Sequence, residues 1–311
     1  MALFHVFHGP AASCFHLSGD DALRYLQSQM TVNIPEPDRH AWIYGLWLNR
    51  NGRVLADSFV YAQAEDSCLV WSYDCPAELL GKTISRNIVA DDVEIQDLRN
   101  ELYFTMLAGP ESLPIAEHIG YPVPESTNVT ETEDCFQYRC LLAGAPALIF
   151  IGPESFHQRL CTSLKRGFPE LDALPFDHEL RHSLRAEAGV PSIPRDINER
   201  NLPQEGHFEE HAIDFTKGCF PGQEIMASFR KSGRLNKALF RFRLADGTVP
   251  PSTPIEIYAG KLAVGTLTTL ANNGVHYFGL GLLRLRATDR RLHITDQDGI
   301  DIPIQIINPT N

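Results

Sequence analysis

Cysteine is scarce in this chain and stands in no paired pattern. Seven of 311 residues are Cys, an odd number, with no Cys-x-x-Cys pair; this argues against a disulfide framework and a zinc ribbon and suits a reducing compartment. Long apolar runs are missing as well. None approaches the roughly 20 residues that cross a bilayer, so no membrane span is expected. The first ten residues lack a basic region, and His5 and His8 interrupt their apolar core, which speaks against a secretory leader and makes the cytoplasm the expected compartment. Positive charge is in deficit too, with 27 Lys and Arg against 39 Asp and Glu and a net charge of −12. Such a surface repels nucleic acid and anionic membranes as a whole, so direct nucleic-acid binding is not expected.

What is present reads as an ordinary globular chain. Hydrophobic residues make up 43% and charged residues 21%, and the length allows two or three domains. The segment Ala22 to Met30 reads as a capped helix with Leu23, Leu26 and Met30 as its apolar stripe. Trp42 to Leu48 and Val54 to Ala62 read as strands joined by an Asn-Gly hairpin turn over Asn49 to Arg53. A second unit begins near Leu102. Its strand–helix–strand–strand–helix order, with an acidic linker from Tyr121 to Asp134, suits an α+β sandwich of ferredoxin-like type. From Lys237 onward six short strands with tight turns suggest a small barrel or sandwich. No internal repeat is visible.

The helix over Phe176 to Gly189 carries His178-Glu179-Leu180-Arg181-His182, the His-Glu-x-x-His pattern of zinc proteases. At about 100° per residue, His178, His182 and Arg185 share one stripe, and Leu180, Leu184 and Glu187 the opposite one. Leucines mark the buried side, which turns the His pair outward, so no metal site is expected here. Glu187 then lies on an apolar stripe and needs a partner. That partner is an internal Arg, or a ligand presenting adjacent N–H donors, such as a pterin.

The densest chemistry is Lys217-Gly218-Cys219-Phe220-Pro221-Gly222-Gln223-Glu224. Gly218 is read as supplying backbone angles that a side chain forbids, and Pro221-Gly222 as a tight turn. A short helix from Gln223 to Phe229 follows. Lys217 and the helix N-terminus would both favour a thiolate at Cys219. The plain alternative is a buried, inert Cys beside a Gly-Pro turn. After the motif, Arg230, Lys231, Arg234, Lys237, Arg241 and Arg243 occur without an intervening acid. They form either a solvated face or a seat for an anion such as the glutamate tail of a folate.

Taken together, Arg185-Ala-Glu-Ala-Gly189 and Ile213 through Glu224 resemble the YgfZ branch of the folate-binding, aminomethyltransferase-like GcvT superfamily. That branch is recognised by a Lys-Gly-Cys-Tyr/Phe-x-Gly-Gln-Glu motif, matched here without a gap. Weaker similarities run through Gly19 to Gln29, Gly45 to Arg53 and the strands around Gly265. The resemblance implies an α+β, three-domain GcvT-like ring with a ferredoxin-like subdomain, a C-terminal all-β barrel and a central folate channel. The matching boundaries are 1–101 plus 176–232 for a discontinuous folate-binding core, 102–175 for the subdomain and 235–311 for the barrel.

By the same resemblance the cofactor is tetrahydrofolate or a derivative, and the role is assembly or repair of iron–sulfur clusters in other proteins, including tRNA-modifying enzymes. Iron–sulfur proteins or their assembly machinery are the implied partners, and a monomer is expected. Glu187 would meet the pterin ring, with Arg185, Lys217, Gly218, Gln223 and Arg230 also at the cofactor, and Cys219 and Lys217 as the functional pair at the channel mouth. The superfamily's transferases use a channel Asp. The matching region, Trp71 to Glu78, offers Asp74 or Glu78 for that position. The region matches poorly, which argues against glycine-cleavage aminomethyl transfer, and a folate-dependent one-carbon transferase acting on a small amine is the alternative activity.

Overall fold

The computed structural model describes residues 4–142, 144–245, 250, 252–272 and 274–307. In chain order come β1 (His5–Gly9), β2 (Ser13–Ser18), α1 (Ala22–Gln29), β3 (Trp42–Leu48), β4 (Val54–Ala64), β5 (Ser67–Ser72), α2 (Ala77–Ser85) and β6 (Glu94–Asp97). There follow β7 (Tyr103–Ala108), α3 (Ser112–His118), β8 (Val129–Glu131), β9 (Phe136–Leu142), β10 (Ala145–Gly152), α4 (Glu154–Gly167) and β11 (Ala173–Pro175). Helices α5 (Glu179–Ala188) and α6 (Gln223–Ser232) precede β12 (Lys237–Leu244), β13 (Ile255–Ala259), β14 (Leu262–Asn272), β15 (Tyr277–Arg284), β16 (Leu292–Thr295) and β17 (Asp301–Ile307). Two compact units result. One takes residues up to Leu48, Leu55–His178 and His211–Pro221; the other takes Asn49–Val54, Glu179–Glu210 and the chain from Gly222 onward.

The first unit holds a five-stranded sheet in the order β3-β4-β5-β2-β6 and a six-stranded sheet in the order β11-β1-β7-β10-β9-β8. Side chains alternate across a strand, so each sheet has two distinct faces. One face of the five-stranded sheet presents Leu17, Ala56, Val60 and Val70 to Leu26 of α1 and to Leu80 and Ile84 of α2. One face of the six-stranded sheet presents Val6, Leu107, Leu148 and Phe150 to α3 and α4. The faces left over are aromatic and meet each other. The Tyr138 ring lies 5.4 Å from Trp42 and 5.5 Å from Trp71, and Phe59 stacks on Trp71 at 5.5 Å. Trp71 Nε1 donates to Tyr138 Oη at 3.0 Å, and the Tyr73 and Tyr138 hydroxyls are hydrogen-bonded to each other.

The six-stranded sheet is larger than the segment 102–175 alone supplies. Strand β1 pairs antiparallel with β7, and β11 pairs parallel with β1. The two histidines of His5-Val-Phe-His8 flank a short apolar pair that the structure buries, Val6 and Phe7. Likewise β8, inside the acidic stretch read as a linker, adds to β9 at the sheet edge.

In the second unit, β12-β15-β14-β13-β16-β17 close into a barrel, with strands within a few residues of those read from the sequence. Closure leaves no free edge. Phe242, Leu244, Ile257, Val264, Leu267, Leu283 and Ile294 lie in its core, and Ala186 of α5 packs with Leu239, Phe278 and Leu280 on its wall.

Candidate functional site

Lys217 is nearly fully buried, with 6% of its surface exposed. Its Nζ donates to the carbonyl oxygens of Gln27 at 2.6 Å, Met30 at 2.8 Å and Val32 at 2.8 Å. An ammonium has three hydrogens, and these three acceptors take them. Gln27 and Met30 belong to the C-terminal end of α1, where carbonyls lack helical partners and a cation is favoured. Burial draws the Lys217 ammonium down to about 8, partly offset by Asp214, so it is charged at neutral pH. The Phe220 ring lies 5.7 Å from Nζ.

The segment leading into Lys217 is sewn to the same stretch. Asp214 N donates to Thr31 O at 2.8 Å, Thr31 Oγ1 donates to Ala212 O at 2.5 Å, and Asn33 Nδ2 donates to Asp214 Oδ2 at 2.5 Å. Asp214 also accepts from the Thr216 amide and hydroxyl, and these bonds hold its carboxyl below the usual range. Beyond Lys217 the chain surfaces, and Gly218 and Cys219 are both exposed. The thiol is therefore not a buried structural one.

Gly218 does not have the role read for it. Its φ is not in the left-handed region, and an added Cβ would meet nothing within 4 Å. The constrained glycine is Gly222, at φ +81°, where a Cβ would stand 2.7 Å from both Asn49 O and Gly52 Cα. Gly222 is the N-cap of α6, and the Asn-Gly turn of the β3–β4 hairpin packs directly on it. Gln223 is half-buried, while Glu224 and Arg230 are exposed.

A second constellation lies in the first unit, on the aromatic face of the five-stranded sheet. Tyr44 Oη donates to Asp57 Oδ2 at 2.9 Å, and Ser72 Oγ to Asp57 Oδ1 at 3.2 Å. Burial, opposed by the Tyr44 and Ser72 hydrogen bonds and helped by the charge of Asp74, pushes the Asp57 carboxyl up to about 7. Asp57 and Tyr44 are half-buried beside these hydrogen bonds. Phe59 lies 5.0 Å from Tyr44, 5.4 Å from Trp42 and 4.9 Å from Tyr73, and all four rings are half-buried. Of the acids offered by Trp71 to Glu78, Asp74 acts on Asp57, whereas Glu78 is exposed and lies 3.6 Å from Arg99.

In the second unit α5 is oriented differently from the reading of its leucines. Arg181, Ser183, Arg185 and Ala186 are its buried residues, while Leu180, Leu184 and Glu187 are half-buried, as are His178 and His182. An arginine takes the inner side because Asp196 neutralises it there. Arg185 Nη1 donates to Asp196 Oδ2 at 2.9 Å and to Val190 O at 2.7 Å. Asp196 also accepts from the Ser192 amide and from the hydroxyls of Thr268 and Thr269. Arg185 is thus an internal strut at the end of the helix that carries Glu187. Among the described residues no group of three or more His, Cys, Asp or Glu is placed to hold a metal ion.

The basic run after the motif is dispersed. Lys237 Nζ lies 3.4 Å from Glu205, Arg243 reaches His276, and the Arg241 stem lies against Gly189. The side chain of Lys231 lies outside the described residues.

Residues 6–138 match the family described as the GCVT N-terminal domain. The fold superposes on the glycine cleavage system aminomethyltransferase T of Bartonella henselae with a TM-score of 0.80, covering 98% of this chain and 85% of that one at 16% identity. The chain has the GcvT fold. An aminomethyltransferase of Thermoanaerobacter sp. (strain X514) is 23% identical over 266 residues, 81% of this chain and 70% of that one. The mitochondrial iron–sulfur cluster assembly factor IBA57 of Mus musculus is 25% identical over 329 residues, 97% of this chain and 86% of that one. The tRNA-modifying protein YgfZ of Hamiltonella defensa is 23% identical over 230 residues, 72% of this chain and 65% of that one. GcvT-fold relatives thus include both transferases and proteins named for iron–sulfur and tRNA work.

Sequence reading of this GcvT-fold chain passed over Tyr44 and Asp57. The available signal is an acid within the alternating strand Val54 to Ala64, on the opposite parity to Ala56, Ser58 and Val60. A carboxylate on a face otherwise made of Trp, Tyr and Phe needs hydrogen-bonding partners, as Glu187 does.

Proposed function

We propose that this chain binds tetrahydrofolate or a related reduced folate and supports the assembly or repair of iron–sulfur clusters in other proteins, tRNA-modifying enzymes among them. The observation that supports the ligand assignment is the half-buried aromatic cluster of Trp42, Tyr44, Phe59 and Tyr73 on the sheet face that carries Asp57. Such rings can stack on a flat heteroaromatic ring, and the Asp57 carboxyl can accept or donate a hydrogen bond near neutral pH. Separately, and on the resemblance alone, Glu187 of the second unit is proposed as an acceptor for pterin N–H donors, with Gln223 and Arg230 of that unit as polar contacts. The exposed Cys219 is proposed as the functional thiol. The relatives named for iron–sulfur assembly and tRNA modification support the cellular role.

Asp57 favours a second reading, one-carbon transfer on a small amine. Bound folate would supply the one-carbon carrier. This chain's part would be to orient the amine and hold or release a proton at an Asp57 carboxyl oxygen. Turnover of an amine with labelled tetrahydrofolate would establish this reading over a purely supportive role.

Tetrahydrofolate should raise the melting temperature of the full chain by mass action. Glu187→Ala and Asp57→Asn, made separately, should each remove most of that shift. No shift with the parent protein would sink the folate assignment. In cells lacking the protein, full rescue of iron–sulfur enzyme activity by Cys219→Ser would remove the thiol from the proposal.

A further inference from the structure

Lys217 and Cys219 sit two residues apart in one motif, which invites reading the lysine as an electrostatic activator of the thiol. The structure gives the ammonium a different occupation. Its three hydrogens go to Gln27 O, Met30 O and Val32 O at 2.6–2.8 Å, while Cys219 is exposed. The lysine looks inward, toward the end of α1, and the thiol stands outside.

The seat is part of a longer seam. Gln27 binds on both its backbone and its side chain, with Nε2 donating to Asn33 Oδ1 at 2.8 Å and Oε1 accepting from the Ile34 amide at 2.9 Å. Asn33 passes the connection to Asp214, and Thr31 ties Ala212 and the Asp214 amide to the same stretch. Thr31 is itself fixed to β3, accepting from the Leu46 amide at 2.9 Å. Residues 212–217 are thus bonded along their length to residues 27–33. The support ends at Lys217, after which Gly218 has no heavy atom within 4 Å of a would-be Cβ.

We infer that Lys217 is a positioning residue for Cys219: it pegs the thiol loop to the C-terminal end of α1 and does not activate the sulfur through its charge. Three carbonyls converging on one point suit an ammonium, a compact charge with rotatable donors, and not a planar guanidinium. Lys217→Arg therefore keeps the charge and loses the peg, whereas Lys217→Met loses both. The inference rests on Cys219 as the functional thiol, but its test needs the thiol only as a probe.

Two readouts on the full chain separate the possibilities: the rate of Cys219 alkylation by iodoacetamide against pH, resolved by peptide mass spectrometry, and amide hydrogen exchange over residues 27–33 and 212–220. A peg predicts that Lys217→Met and Lys217→Arg both accelerate exchange in the two segments about tenfold or more. It also predicts that both leave the pH of half-maximal alkylation where the parent has it. The inference is overturned if Lys217→Arg behaves as the parent while Lys217→Met moves that pH upward by about one unit, or if neither variant changes exchange. Should neither variant fold, Asn33→Ala at the exposed end of the seam decides. Faster exchange over 212–220 supports the peg, and unchanged exchange overturns it. Failure of the thiol's cellular role would appear separately, as full rescue by Cys219→Ser.

Discussion

Arg185 Nη1 and Asp196 Oδ2 lie 2.9 Å apart with both side chains buried, 4% and 0% exposed. Every oxygen of the carboxylate has further donors, from Ser192 N on one and from Thr268 and Thr269 on the other. A buried ion pair with this degree of satisfaction specifies one arrangement, because removing either partner strands a charge in low dielectric.

Arg185→Met and Asp196→Asn should each cost about 3–5 kcal/mol in urea unfolding, and the double substitution clearly less than their sum. Additive losses would show that the pair is not coupled. Any loss of folate binding in Arg185→Met should track this loss of stability and the displacement of Glu187, and not a missing contact to the ligand.

Asp57 sets a pH dependence of defined sign. Its carboxyl titrates at about 7 in the folded chain against an ordinary value of 3.8, so between those values the folded state holds a proton that the unfolded state has released. Its contribution to stability is full below 3.8 and is lost as pH rises through 7. Asp57→Asn should therefore stabilise the protein at pH 8 relative to pH 4, by on the order of 2 kcal/mol once the partial exposure of Asp57 is allowed for. Melting curves of parent and variant at both pH values check this; an equal difference at the two would show that Asp57 ionises normally.

His157 works in the opposite direction. Thr105 Oγ1 lies 2.7 Å from His157 Nδ1 and 3.0 Å from His8 Nδ1. Burial, reinforced by His8, draws the His157 imidazole from 6.5 to about 4. The unfolded chain takes up this proton first on acidification, so stability is present above 6.5 and is lost as pH falls toward 4. NMR titration should show the His157 ring neutral at pH 5.5, and a midpoint near 6.5 would refute it.

The two glycines of the motif should part company on substitution. Gly218→Ala should change stability by less than about 0.5 kcal/mol, since its backbone is ordinary and its Cβ enters open space. Gly222→Ala should cost about 2 kcal/mol or more, from the left-handed φ and the collision with the hairpin backbone. Urea unfolding of both variants distinguishes them.

Much of this fold was legible because its signals are local. Six short strands after Lys237 need only their own side chains and turns to announce a small barrel or sandwich. The helix after Gly222 follows from the turn before it. The motif from Lys217 to Glu224 is contiguous, so its resemblance to the YgfZ branch was visible without any fold. Strand β1 was missed because two histidines broke its apolar pattern, and the inner side of α5 was misassigned because an ion pair, not a leucine, occupies it.

By itself, then, the sequence determined most of the helices and strands, the all-β C-terminal segment and the contiguous motif from Lys217 to Glu224 with its resemblance. Tertiary structure alone decided which charges are spent internally and which remain available. Lys217 is taken up by carbonyls at the end of α1, Arg185 by Asp196, and Asp57 is lifted toward neutrality by an aromatic face assembled from three strands. Each of these outcomes depends on desolvation and on hydrogen-bond partners far away in the chain. Those are set by packing, which residue spacing does not encode.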